Sequence, residues 1–331
     1  MNFFNSTFTI NLINYSEQEI LINVKNLKID FNINTKKIKD IIINNYKELE
    51  IKFINLNTLD FSILLTINRQ IPYNHIINPD NNHLYYLNKY NTKLTDSMFV
   101  KYNIIGLAII GLIIKDILDI EYNIKLFTHV NSVGNIFDKV DDYLCLYNDM
   151  DKFSTDNLPI IDPRAKILIQ KQIIKAVNEK KYLSGSLQTL IYNLPKGLGI
   201  PYFNLFESAL ARVLYLIPNL KSLEFCNVID INYNRKNITK NIYFDNDKLI
   251  YESNINASIE QGITTGEILS FNTHFLPSIA ITNNTKSINY KTLENVFIKT
   301  NNNDYFTLHK QIFVVEGLSA IAIYDLLKRQ A

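Results

Sequence analysis

The chain has 331 residues, enough for one large domain or two small ones and for a sizeable buried core. Hydrophobic residues make up 47% of it and its formal net charge is +2, so composition points to an ordinary globular protein without the basic stripe of a nucleic-acid binder. Arginine is confined to Arg69, Arg164, Arg212, Arg235 and Arg329 against 29 lysines, and Asn, Ile and Tyr are also heavily used, the codon bias of an AT-rich genome.

Cys145 and Cys226 are the only cysteines. They form no zinc spacing and no disulfide framework, which fits a reducing, cytoplasmic setting. Residues 1–14 lack the basic start and apolar run of a signal peptide. The most apolar run, Ile104 to Ile114, ends at Lys115 and Asp116. It falls short of the roughly 20 residues that span a bilayer, and reads as a buried helix.

In chain order, Phe4 to Ile13 and Glu19 to Val24 alternate as two strands. Thr35 caps a helix through Tyr46. Strands follow at Glu50 to Asn55 and Phe61 to Ile67, then a loop over Pro72 to Asn82 and a short helix over His83 to Tyr90. Val100 to Ile117 is apolar nearly all round, a buried helix, and Lys125 to Val130 is a strand. The acidic stretch Asp138 to Asp156 has no Asp-x-Asp-x-Asp-Gly spacing and reads as a solvated loop, not a cation site. Asp162-Pro163 opens a helix to about Asn178.

The most informative stretch runs from Leu183 to Cys226. A strand, Leu187 to Tyr192, leads into Pro195-Lys196-Gly197-Leu198-Gly199-Ile200-Pro201. A helix follows with Phe203, Phe206, Leu210, Val213, Leu214 and Ile217 on one face, stopped by Pro218 and Asn219. Leu220 to Phe225 is the next strand. By itself the Gly-Leu-Gly is a tight turn; it fits neither phosphate-loop pattern. The remainder reads as a polar hairpin over Ile229 to Tyr251, a loop over Ser253 to Gly266 and a strand over Glu267 to Thr282. Leu308 to Arg329 contains a helix with Val314, Val315, Leu318, Ile321, Ala322 and Leu326 inward. No repeat or linker interrupts the chain, so it reads as one α+β domain, residues 1–331, with antiparallel sheets packed with helices in layers.

The Pro-x-Gly-Leu-Gly-x-Pro-x-Phe turn, the following Ala209-x-Ala211 and the Ile217-Pro218-x-x-Lys221-x-x-Glu224 stretch resemble the chorismate synthase family. The likeness continues in order along the chain. Asn5-Ser6-Thr7-Phe8 resembles the family's opening, and Gly111 and Lys115 fall in place on its buried helix. Ser253-Asn254 to Gly266 resembles its glycine-rich flavin loop, with Ala257-Ser258 and Gln261-Gly262 at two Gly-Gly pairs. Pro277-Ser278 resembles part of its Lys-Pro-Thr, Asp304 the Asp of its Arg-His-Asp, and Val315-Glu316-Gly317 its closing helix.

The resemblance implies a lyase that removes phosphate and a proton from 5-enolpyruvylshikimate 3-phosphate with reduced FMN, giving chorismate. It implies a homotetramer; the residues themselves give no metal spacing, no bilayer-length apolar run and no basic stripe, so no metal, membrane or nucleic-acid partner is expected. Cofactor-binding residues would be Asn254, Gly262, Gly266, Pro277 and Ser278. Asp304 would help take the proton, and its other reading is a loop or helix-capping carboxylate. The family's two catalytic histidines fall on Ser16 and Asn81, leaving His83 as the nearest replacement acid. His75, His129, His274 and His309 read as packed or surface residues. The flavin-phosphate Arg-Ser-Ser falls on Met98-Phe99-Val100, and the arginine-rich loop after the first helix is missing between Tyr46 and Ile51.

Two functional readings follow: a diverged enzyme, or a non-catalytic remnant that keeps the fold and oligomer. Convergence of Lys89, Lys93, Lys101 and Lys310 on one cleft with Asp304 would favour the enzyme; a cleft lined by Met98, Phe99 and Leu276 would favour the remnant.

Overall fold

The computed structural model describes residues 2–3, 8–14, 18–54, 60–68, 95–138, 140, 143–154, 156, 158–200, 204–225, 242–245, 248–251, 258–277, 286–289, 292, 294–297 and 305–330. The loop expected at Pro72 to Asn82 and the helix expected at His83 to Tyr90 lie outside them.

The chain begins with strands β1 (Asn2–Phe3), β2 (Thr9–Asn14) and β3 (Glu19–Lys25), then helix α1 (Thr35–Asn45), β4 (Leu49–Ile54) and β5 (Phe61–Ile67). These strands form an antiparallel sheet in the order β1-β2-β3-β5-β4. Strict alternation fixes the register: Ile20, Ile22 and Val24 on β3, and Phe61, Ile63, Leu65 and Ile67 on β5, all point inward. The cap of α1 differs from expectation. Asn34, not Thr35, accepts the Lys37 N–H, and Thr35 is the first helical residue. Either side chain could cap; the backbone turn places the asparagine one step earlier.

Helix α2 (Thr95–Tyr122) is longer than its apolar run at both ends. After β6 (Lys125–Val133) and β7 (Ile136–Phe137), the acidic stretch forms a helix, α3 (Tyr143–Ser154), where a loop was expected. Leu146 and Met150 are buried on its inner side beneath Phe127, Leu190 and Tyr192, with Phe153 packed beside them, and this apolar contact outweighs the helix's polar composition. Asp138 is buried, not solvated: its carboxylate accepts the N–H groups of Ile161 and Asp162 at 2.8 Å each and faces His129 Nδ1 at 3.2 Å. Helix α4 (Pro163–Glu179) starts at the expected Asp162 cap.

Strand β8 (Gly185–Tyr192), helix α5 (Phe206–Leu214) and β9 (Leu220–Glu224) make the strand-turn-helix-strand unit. The helix is shorter than its apolar periodicity, and Ile217 is buried in the turn that follows. Strands β10 (Ile242–Asp245) and β11 (Lys248–Tyr251) pair as a short ribbon. The 253–266 stretch, expected as loop, contains another ribbon, β12 (Ile259–Glu260) with β13 (Ile263–Thr264). Strand β14 (Leu269–Phe275) is shorter than expected; β15 (Lys286–Asn289) pairs with β16 (Glu294–Phe297). A 3-10 turn, Leu308–Gln311, leads into α6 (Ile312–Gln330), whose residues Phe313 to Leu326 are all buried.

The second antiparallel sheet has the order β7-β6-β8-β14-β9, so β14 lies between the two strands that α5 connects. Helix α6 packs on β6 and β8, and α2 packs on β3, so the helix pair forms the middle layer between the sheets. One hydrophobic cluster includes residues of both sheets and of α1, α2, α5 and α6.

Helices α2 and α6 run parallel. Lys101 and Lys310 both approach Tyr46 at one end, and Tyr122 meets Tyr324 at the other. Between them the helices touch at Gly111 and Gly317. A methyl on Gly111 would lie 2.0 Å from the Gly317 carbonyl oxygen, and one on Gly317 would lie 2.4 Å from that of Ala108. Leu210 of α5 is fully buried in this core. Leu210→Ala is expected to lower unfolding free energy by about 2–5 kcal/mol in urea melts; an unchanged midpoint would show α5 to be peripheral.

Candidate functional site

Three features meet the residues singled out in the sequence. The first is the joint between the Gly-Leu-Gly turn and the glycine loop. Gly197 N–H donates to the Thr264 carbonyl at 2.8 Å, and Thr264 N–H donates to that of Leu198 at 3.0 Å. Thr264 Oγ1 donates to the Pro195 carbonyl and accepts the Leu198 N–H. Phe206 N–H, at the start of α5, donates to the Gly262 carbonyl at 2.8 Å. Gln330 Nε2 donates to the carbonyls of Gly197 and Gly199, closing the joint from α6.

In this joint Gly199 and Gly262 are squeezed. A Cβ on Gly199 would lie 2.3 Å from the Gly262 carbonyl oxygen, and a Cβ on Gly262 would lie 2.3 Å from Leu205. At Gly266 the same space is taken by the Lys196 side chain. The glycine positions that the flavin resemblance singles out thus press against the chain's own atoms. Ser258 and Gln261, which stand at family glycine positions, have φ of 66° and 51°. The left-handed backbone is therefore retained at two positions where the resemblance has glycine and this chain does not.

The second feature is a pair of lysines. Lys101, in the second turn of α2, places Nζ 5.0 Å from the Tyr46 ring centroid and 5.4 Å from that of Tyr102. Lys310, in the 3-10 turn before α6, places Nζ 5.9 Å from the Tyr46 centroid. Tyr46 caps α1 through its N–H to the Ile42 carbonyl, and its buried ring meets Phe313 edge-on at 6.1 Å. Thus Lys101 and Lys310, two of the four lysines of interest, converge on one ring; Lys89 and Lys93 lie outside the described residues.

The third is a cleft of about 610 Å³ bounded by α1, the C-terminal half of α2, β6, α3 and the start of α6. Phe313 belongs to its wall. At its floor Glu316 is nearly buried, accepting from Lys115 Nζ at 2.6 Å and from Thr128 N–H at 2.9 Å. Both carboxylate oxygens are thereby satisfied, the condition under which a buried charge is tolerated. Burial pushes the Asp116 carboxyl above its ordinary range, and Lys37 at 4.0 Å and Lys115 oppose this only partly.

The remaining candidates are placed as follows. Pro277 follows β14, and Leu276 beside it is half exposed, its N–H donating to the Asn219 carbonyl. Met98, Phe99 and Val100 lie in the first turns of α2. His129 is fully buried between Asp138 and Gln188, His274 pairs with Glu224 at 3.0 Å, and His309 stacks on Phe306. His75, His83, Ser16, Asn81, Asn254, Ser278 and Asp304 lie outside the described residues. Among the described residues no group of three or more His, Cys, Asp or Glu could hold a metal, and no helix is long and apolar enough to cross a membrane. Tyr46 was missed from sequence; its place at the end of α1, where the arginine loop is lacking, was the available signal.

A left-handed residue that is not glycine costs about 1–2 kcal/mol in the folded state, and glycine costs about 0.5–1 kcal/mol more chain entropy. Gln261→Gly should therefore raise stability by about 0.5–1 kcal/mol, read from the urea midpoint; a loss would show that the glutamine makes a contact worth more than the strain.

The family model described as chorismate synthase matches residues 74–327. Chorismate synthase of Methanocaldococcus jannaschii is 28% identical over 238 residues, covering 67% of this chain and 62% of the relative. Those of Methanococcus vannielii and Saccharomyces cerevisiae are each 26% identical, over 237 and 233 residues, with the same coverage. These alignments therefore span about 62% of the relatives' length. A crystal structure of chorismate synthase superposes with a TM-score of 0.72 at 16% identity, over 98% of this chain and 92% of that one, which establishes the common fold. With more than half its length matched by the family model, the chain belongs to the chorismate synthase family.

Proposed function

We propose that the chain is a diverged lyase that eliminates phosphate from 5-enolpyruvylshikimate 3-phosphate to give chorismate. The observation that carries this reading is the convergence of Lys101 and Lys310 on Tyr46. The substrate bears a phosphate and two carboxylates, and the chain has few arginines to meet them. Lysine supplies the charge without the planar fork of a guanidinium. Lys310 also sits at the entry to α6, where the backbone dipole favours an anion. In this reading the two lysines bind and orient the substrate's anionic groups.

Proton handling falls to Asp304 as the group that helps take the proton and to His83 as the acid. Neither Ser16 nor Asn81 can protonate a leaving phosphate near neutral pH. Reduced FMN is the cofactor that family membership implies. At the described glycines the space a side chain would take is filled by Leu205 at Gly262 and by Lys196 at Gly266. Asn254, Pro277 and Ser278 remain as the family-like contacts, and no cation stands at Met98, Phe99 or Val100 to hold the flavin phosphate.

A single domain belongs to the same reading, supported by the one hydrophobic cluster that joins both sheets; two separate unfolding transitions would contradict it. So do a cytoplasmic location and a homotetramer, by family resemblance; light scattering at the 38.5 kDa of one chain would contradict the oligomer.

Flavin titration of the purified protein, followed by a phosphate-release assay, tests the proposal. Losing two charge-assisted phosphate contacts at about 1.5–3 kcal/mol each weakens binding by roughly two to four powers of ten. FMN binding weaker than micromolar is expected, and micromolar or tighter binding would show that other residues hold the phosphate. Turnover should disappear in Asp304→Asn and fall less in His83→Asn. Absence of chorismate in the parent protein at saturating reduced FMN and substrate would favour the non-catalytic remnant.

A further inference from the structure

We infer that Tyr46 is a positioning residue that orders Lys101 and Lys310 into a two-ammonium clamp for a phosphate group. The inference rests on the reading above for its ligand but not for its geometry. The lysines come from elements more than 200 residues apart in sequence, yet both ammonium groups lie within 6 Å of one ring centroid. Two like charges so placed repel, and they also lose side-chain entropy when held. The π-face of a buried ring offsets both costs, because its quadrupole attracts each cation.

Tyr46 is itself fixed on three sides. Its N–H closes the last turn of α1, its carbonyl accepts the Leu49 N–H at 3.0 Å, and Phe313 packs edge-on against its ring. The ring is thus a rigid platform between α1 and β4, where the resemblance leaves the arginine loop missing. An anion drawn to this place would meet two ammonium groups whose positions the ring has already restricted. It would also meet the positive end of α6, which the turn carrying Lys310 enters. A phosphate dianion suits two such groups better than a monoanion, since each ammonium can answer one charge.

The clamp makes a claim that packing alone does not. Its strength depends on the electron density of the ring, not only on its shape. Tyr46→Phe and the same position carrying phenylalanine with one, two and three ring fluorines keep nearly the same volume while progressively weakening the quadrupole. Affinity for inorganic phosphate, measured by calorimetry on the full chain, should be nearly unchanged in Tyr46→Phe. It should fall stepwise with fluorination, by roughly tenfold across the series. Lys101→Gln and Lys310→Gln should each reduce phosphate affinity and flatten the fluorination series. Thermal melts across the series should stay level, which separates the effect from unfolding.

Phosphate affinity that is flat across the fluorinated series, or a parent protein that fails to bind phosphate, would overturn the clamp. The two readings can fail separately. A graded phosphate response without chorismate formation leaves the clamp and removes the enzyme. Chorismate formation with a flat response does the reverse.

Discussion

Everything in the middle layer depends on how closely α2 and α6 approach. At Gly111 and Gly317 there is no room for a Cβ on either side, because each would meet carbonyl atoms of the other helix. Backbone in contact with backbone lets one layer of helices fit between two sheets, with α2 reaching β3 through Gly106 and α6 reaching β6 and β8. A side chain at the crossing would push the helices apart and open both sheet interfaces, and a packed core cannot absorb such a shift cheaply. The parallel direction has an electrostatic consequence. Side-by-side parallel dipoles repel weakly, and here the positive end of α6 lies beside the second turn of α2. That end carries Lys101 and Lys310, while the opposite end carries Tyr122, Tyr324 and Lys328.

One turn beyond the Gly111 crossing the same helices are tied by a charge pair. Lys115 and Glu316 face each other where α2, α6 and β6 meet, and the Thr128 N–H supplies Glu316 with its second donor. Replacing such a pair with apolar residues of similar volume is often neutral, whereas removing one member strands a charge. The pair therefore acts more as a register mark than as a source of stability. It marks one relative translation of the two helices, that in which Lys115 on α2 meets Glu316 on α6.

Much of this architecture was legible in the residues, for identifiable reasons. Strands β3 and β5 alternate strictly because one face is buried, and α2 is continuous in Ile and Leu because all its faces are buried. Helix α3 was concealed by Asp149 and Asp151; its signal was the spacing of Leu146, Met150 and Phe153, four and then three residues apart. The Asn34-Thr35 choice could not be made from sequence, since both residues cap helices equally well and only backbone dihedrals decide. Site geometry was less accessible. Lys101 and Lys310 could be nominated as cations, but their meeting depends on a buried ring that composition marks only as core. Gly262 and Gly266 were nominated for what glycine allows a ligand to do, whereas their described neighbours are Leu205 and Lys196.

The glycines that remain and those replaced show what this chain tolerates. Left-handed backbone near φ of +60° is accessible to any L-residue at modest cost, whereas φ well above +70° is not. Ser258 and Gln261, at family glycine positions, lie at 66° and 51°, inside the accessible region. Gly262 and Gly199 lie at 82° and 125°, and both also lack space for a Cβ. Replacing the first pair strains the chain; replacing the second would combine strain with a collision at the joint that holds α5 to the glycine loop. A composition poor in glycine thus spends its few glycines where geometry has no alternative. The same logic bears on the site. Loss of guanidinium groups can be answered by ammonium groups wherever a rigid surface fixes them, because charge is transferable among residue types. The planar fork is not transferable, so in the proposed clamp the cation pair at Tyr46 would supply charge where the resemblance lacks arginines and leave their bidentate geometry unreplaced.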